Sequence, residues 1–168
     1  MQKEHPFVER LERLREDRGA LADLRRGLGH SPGATREMYR YIVPWVPAGA
    51  SQRREATYYL IASLFAYHPA PGGEGNIGSH FARTLAPGGD HTAVERRLAT
   101  LLAAHPDDLS FHLRQAVGYL KSKEVPVNWN QLFADVQAWG HPDGYVQKQW
   151  ARAFWGRTAR PEEDVKEE

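Results

Sequence analysis

The sequence predicts an all-α protein, a two-lobed bundle of about eight or nine helices. Three observations carry that expectation. Apolar residues recur three and four positions apart almost throughout, no stretch shows the strict alternation of a half-buried strand, and glycine and proline clusters separate the periodic stretches.

Residues 6–18 place Phe7, Leu11 and Leu14 on one helical face, and residues 20–28 do the same with Leu21, Leu24 and Leu28. Gly27 and Gly29 stop the second stretch, and Ser31-Pro32-Gly33 turns the chain. A third helix is expected from about residue 34, with Met38, Tyr41, Ile42 and Trp45 inward until Pro44 and Pro47 kink and end it. Ser51 is placed to cap the fourth, residues 52–67, its hydroxyl accepting from a free N–H of the first turn. There Tyr59, Leu60, Leu64 and Tyr67 form a stripe that Ile61 and Phe65 widen, and a helix so broadly apolar belongs at the centre. A loop over 68–76 and a short helix around Phe81 and Leu85 follow. Pro87-Gly88-Gly89 then divides an N-terminal lobe, residues 1–88, from a C-terminal lobe, residues 89–160.

In the second lobe Val94, Leu98, Leu101 and Leu102 mark one helix, and Leu109, Leu113, Ala116, Val117 and Leu120 the next, capped by Asp107 or Asp108. Asn128, with Gln131 three residues on, is an amide variant of the capping box and opens a helix carrying Trp129, Leu132, Val136 and Trp139. Gly140 ends it. A last helix, residues 144–155, turns Val146, Trp150 and Phe154 inward. No segment repeats with a solenoid period.

The chain has no cysteine, which excludes disulfides, thiolate chemistry and cysteine-ligated zinc and fits a reducing compartment. Its longest apolar stretch, residues 58–67, is about half the roughly 20 residues a membrane-spanning helix needs, so a cytoplasmic protein without membrane contact is expected. The formal charge of +1 conceals an asymmetry. Residues 161–168, expected to be a disordered acidic tail, carry five acids against Lys166; without them 21 cations face 16 acids, a net of +5. Seventeen of the 22 cations are arginine, whose planar fork suits phosphate, although a GC-rich genome would give the same count.

Eight histidines invite a metal or acid–base reading, but His5, His68, His105 and His141 each precede a proline and belong at helix ends or in loops. No pair has i, i+4 spacing on a helix, so no metal site is expected. Gly73-Glu74-Gly75-Asn76-Ile77-Gly78 matches the dinucleotide fingerprint by letter, yet no strand precedes it to aim a pyrophosphate at a helix, and it reads as a flexible loop. No nucleophile elbow or isolated carboxylate pair stands out. The chain therefore reads as not an enzyme, with no cofactor and no catalytic residue.

The cations are more informative when each is checked for a local acid. Glu9 can pair with Arg13, and Glu12, Glu16 and Asp17 surround the other arginines of the first segment, a solvated salt-bridged face. From 109 to 123, by contrast, Arg114, Lys121 and Lys123 have no acid in their segment, with Arg114 and Lys121 seven apart on one face. From 144 to 160 the same holds for Lys148, Arg152, Arg157 and Arg160. Arg25-Arg26, Arg36 with Arg40, and Arg53-Arg54 add cations to the first lobe. Unneutralised cations on rigid helices suit a phosphate track, each contact releasing condensed counterions. Trp129, Trp139, Trp150 and Trp155 fall on or beside apolar stripes and are assigned mainly to the core rather than to base stacking.

Several strings carry a resemblance: Leu21-Ala22-Asp23-Leu24-Arg25-Arg26-Gly27, Tyr59-Leu60-Ile61-Ala62-Ser63-Leu64-Phe65-Ala66, Leu113-Arg114-Gln115-Ala116-Val117, Leu120-Lys121-Ser122-Lys123-Glu124-Val125-Pro126-Val127-Asn128-Trp129 and Trp150-Ala151-Arg152-Ala153-Phe154-Trp155. Over about residues 7–155 the chain resembles the CasB family, the small subunit of the type I-E CRISPR surveillance complex Cascade. The resemblance implies a two-lobed, non-catalytic helical protein, present as a pair of copies with other Cascade subunits on a guide RNA. It would stabilise target DNA opened by the guide, with cleavage left to a separate helicase-nuclease; base pairing reads sequence while protein reads backbone. By position Arg25, Arg26, Arg114, Lys121, Lys123 and Arg152 match basic family motifs, and Arg53 and Arg54 extend the set. Two rivals remain: a helical scaffold whose basic faces dock acidic protein partners, and an enzyme using the loop at 73–78.

Overall fold

The structure, a computed structural model, describes residues 3–156. The acidic tail, Arg157 and Arg160 lie outside the described residues. Among those described there are nine α-helices, three 3-10 turns and no strand, as the periodicity predicts. None of the helices is long and apolar enough to cross a membrane.

Local chemistry sets the helix ends. The first two expected helices are both present with shifted bounds: α1 (Pro6–Arg13) stops early, and the Asp17 carboxylate accepts from the Ala20 N–H to start α2 (Arg18–Arg25). The third expected helix is broken into a 3-10 turn (Arg36–Met38), a single α-turn α3 (Tyr39–Ile42) and a second 3-10 turn (Val43–Trp45), because Pro44 lacks the N–H that would continue the ladder. Ser51 caps α4 (Gln52–Tyr67) by accepting from the Arg54 N–H at 3.1 Å.

Nine residues of α4, from Thr57 to Ala66, are buried, and the helix packs against α2, α7 (Leu109–Ser122) and α8 (Trp129–Gln137). That is why its apolar positions spread round its circumference instead of lying on one face. The buried hydroxyls of Thr57 and Ser63 are satisfied within the helix, Thr57 donating to the Arg53 carbonyl and Ser63 to that of Leu60. Gly27 lets the end of α2 come in close, since a β-carbon there would collide with Met38.

The break at 87–89 falls between α5 (Ile77–Ala82) and α6 (Thr92–Leu102), and one apolar core runs through residues on both sides of it. Asn128 caps α8 as expected, accepting from the Gln131 N–H, but the Gln131 side chain turns to Asp135 instead of closing the box. Neither Asp107 nor Asp108 caps α7 with its carboxylate; the His105 ring accepts from the Asp107 N–H to start the preceding 3-10 turn. His5 and His141 accept in the same way from the N–H two residues on, so three of the four His-Pro pairs are chain-turning caps. Trp129, Trp139 and Trp150 are buried, and α9 (Tyr145–Trp155) is anchored by the Trp150 indole donating to Asp135 at 2.7 Å.

Candidate nucleic-acid interface

The elements that position the predicted cations are α4 and α7, which lie side by side in the same direction. At one end Arg53 of α4 meets Asp107 just before α7; at the other, Tyr67 of α4 meets Gly118 and Lys121 of α7. Between these ends lies a cleft of about 340 Å³, walled by Tyr59, Leu60 and Ser63 of α4, Phe111 and Arg114 of α7, and the loop at 27–33. Arg53, Arg114 and Lys121 therefore follow one another along a single seam. Seven residues separate Arg114 from Lys121, a spacing of about 10 Å at the rise of an α-helix.

Each cation has a distinct setting. The Arg114 guanidinium lies over Gly29, so close that a β-carbon there would fall 2.6 Å from Nη1. Gly29 also has φ of +78°, a backbone conformation that favours glycine. Arg114 has no ion pair among the described residues and stays exposed. The Lys121 ammonium sits 4.3 Å above the Tyr67 ring, which orders the side chain and leaves its charge in water. Lys123, at the end of α7, is exposed and has no acid partner among the described residues.

Long-range acids alter the reading for three of the arginines. Arg26 pairs with Glu37 at 3.1 Å, Arg53 with Asp107 at 3.4 Å, and Arg40 with Asp23 at 3.0 Å. These pairs are exposed and hold their partners weakly. Arg25 has none among the described residues and ends α2, four residues before Gly29 in the sequence. Two predicted residues lie elsewhere. Arg54, next to the seam in sequence, acts on His5, whose pKa is lowered by burial and by this cation. Arg152 of α9 lines a separate shallow groove with Asn76, Ser79, Gln131 and Gln149. On α1 Arg13 pairs with Glu9 at 2.6 Å as expected, whereas Arg18, at the start of α2, has no ion pair among the described residues.

Sequence reasoning missed two features beside the seam. Arg97 lies over Tyr119, its guanidinium 4.7 Å from the ring centroid, in a groove between α6 and α7 that Arg96 also lines. Phe111 is a large apolar residue left exposed. The helical phase of Phe111, opposite the buried stripe of α7, was the available signal.

The enzymatic rival rests on the loop at 73–78. Among the described residues no three His, Cys, Asp or Glu side chains gather as metal ligands would. The loop at 73–78 is packed, not free as its composition suggested: a β-carbon on Gly73 would strike the Val127 backbone, and one on Gly78 the Trp150 carbonyl. Asn76 and Ser79 close a capping box there, the Asn76 side chain accepting from the Ser79 N–H and the Ser79 hydroxyl from the Asn76 N–H, at the start of the six-residue α5. Glu4 is pushed up to about 7, first by a hydrogen bond with the Glu12 carboxyl and then by burial, but it borders neither cleft.

The comparisons with known proteins agree with this helical architecture. Residues 20–155 match the model of the CRISPR-associated protein Cse2 family. The chain belongs to the Cse2 family. A Cse2 protein of Thermus thermophilus is 35% identical over 167 aligned residues, which cover 96% of this chain and 95% of that protein. Among solved structures, M. ruber CasB superposes with a TM-score of 0.77 at 27% identity, covering 95% of both chains. A chain of a CRISPR RNA-guided surveillance complex gives 0.77 at 28%, covering 90% of this Cse2 chain and 93% of that one. CasB from Thermus thermophilus gives 0.75 at 30%, with 89% and 96% covered.

Proposed function

We propose that this Cse2 chain is a non-catalytic subunit of a Cascade-type surveillance complex, where its α4/α7 seam holds nucleic-acid backbone and steadies target DNA opened by a guide RNA. The observation that carries the reading is the ordered run of Arg53, Arg114 and Lys121 along one seam, with no acid on Arg114. Such a track neutralises phosphates without reading bases, which suits a subunit that must accept any target. Lys123 continues it at the end of α7, while Arg54 and Arg152 serve separate contacts. Likeness to a chain of an RNA-guided complex supports the setting. Guide RNA, target DNA, the other Cascade subunits and a second copy of this chain are the partners of this reading, in the cytoplasm.

The test is recovery of the tagged chain from its host, with the attached molecules identified. A guide RNA of defined length together with several other CRISPR-associated proteins is the expected result. Recovery with acidic proteins and no RNA would favour the scaffold reading, in which the same cations dock protein.

A further inference from the structure

Phe111 is 62% exposed in the first turn of α7, whereas Leu109 and Leu113, two residues to either side, are buried. It projects about 200° round the helix from Leu109, at 100° per residue, so it is no core residue slipped out of place. It stands on the outer ridge of α7, and that ridge separates two clefts, both of which it lines. On one side is the seam, with Arg114 one turn on. On the other is the groove of about 430 Å³ between α6 and α7, with Arg96 and with Arg97 held against Tyr119. None of these three arginines has an ion pair among the described residues.

An apolar protein surface seated on Phe111 would have to strip water from three guanidinium groups with no acid to receive them. A nucleotide brings an apolar face and an anion together, which matches an exposed ring, T-shaped against the His112 ring at 5.4 Å, flanked by unpaired cations. We propose that Phe111 is a stacking platform for an unpaired nucleobase, with Arg114 on one side and Arg96 and Arg97 on the other receiving the flanking phosphates. The inference rests on the seam reading and adds a contact to the base, sequence-tolerant because every base has a π-face.

The test uses the assembled complex containing the full chain and measures binding of single-stranded target. Phe111→Ala is expected to weaken binding roughly five- to a hundredfold, similarly across sequences, with an unchanged unfolding midpoint because the ring is exposed. Phe111→Trp should keep binding, and Phe111→Leu, apolar without a π-face, should behave like alanine. Wild-type affinity in the leucine or alanine variant overturns the proposal. So does an ultraviolet cross-link running only to another protein chain when p-benzoylphenylalanine replaces Phe111; a cross-link to DNA supports it. Charge reversal of Arg114 and Lys121 separates the two claims. If reversal weakens binding and Phe111→Ala does not, stacking alone is wrong; if neither does, the seam reading falls with it.

Discussion

His80 gives a stability prediction with a definite sign. Its ring is 1% exposed, and Nε2 accepts the Asn128 N–H at 3.0 Å, tying α5 to the start of α8. Nδ1 lies 3.0 Å from the Arg83 guanidinium. A proton on Nε2 would break the first contact and place a second cation beside Arg83. Burial, then Arg83, then His68 lower the pKa from 6.5 to about 4. Between those values the unfolded chain binds more protons than the folded one, so stability falls as pH falls; above 6.5 neither state is protonated and the effect vanishes. At pH 5 the linkage relation gives a loss of about 2 kcal/mol relative to neutral pH. Urea unfolding of wild type and His80→Gln, followed by far-ultraviolet circular dichroism from pH 7.5 to 5, isolates this contribution, since Glu4, His5 and Asp135 titrate alike in both proteins. The stability advantage of wild type should shrink by about 2 kcal/mol over that range. A constant advantage would refute the argument that the buried ring is held neutral.

Two further substitutions test the packing around the site. Gly78→Ala should destabilise by about 1–3 kcal/mol in thermal or urea unfolding, because the new methyl must displace the Trp150 carbonyl where α5 crosses α9; a neutral result would show that these helices are not in contact. Glu124→Gly should stabilise by up to about 1 kcal/mol, because Glu124 holds φ of +57° at the end of α7, where the Val125 N–H closes back on the Leu120 carbonyl, and glycine adopts that conformation without strain. An unfolding midpoint below that of wild type would contradict this account of the turn.

Much of the fold was legible because it is written in local chemistry. Ser51 and Asn128 announce their helices by caps that need no tertiary partner, and the apolar stripes of α7, α8 and α9 appear at the predicted phases. The boundary between the first two helices was less legible, because Asp17 is both an acid on a helical face and a good cap, and composition does not separate the two uses. The candidate site divides along the same line. Acid-free stretches of sequence marked Arg114 and Lys121 as cations without a local acid, and neither has an ion pair among the described residues, since on a helix the nearest competitors for an ion pair lie three or four residues away. The partners of Arg26, Arg40 and Arg53 lie 11, 17 and 54 residues away and depend on how α2 meets residues 36–42 and how α4 meets the start of α7. The same docking made a seam of Arg53, Arg114 and Lys121 and sent Arg54 and Arg152 elsewhere.

The central claim is that the α4/α7 seam contacts phosphate, and the salt dependence of target binding in the assembled complex tests it most directly. Reversing Arg114 and Lys121 to glutamate removes two contacts, which should make the slope of log K against log salt shallower by about 1.4, at roughly 0.7 per contact for single strands. Wild type and variant should therefore draw together about sevenfold in relative affinity as salt rises fourfold, alike for every target sequence. Arg13→Glu, at a cation already paired with Glu9, should leave the slope unchanged. Equal effects at both places, or a loss that depends on target sequence, would contradict the account.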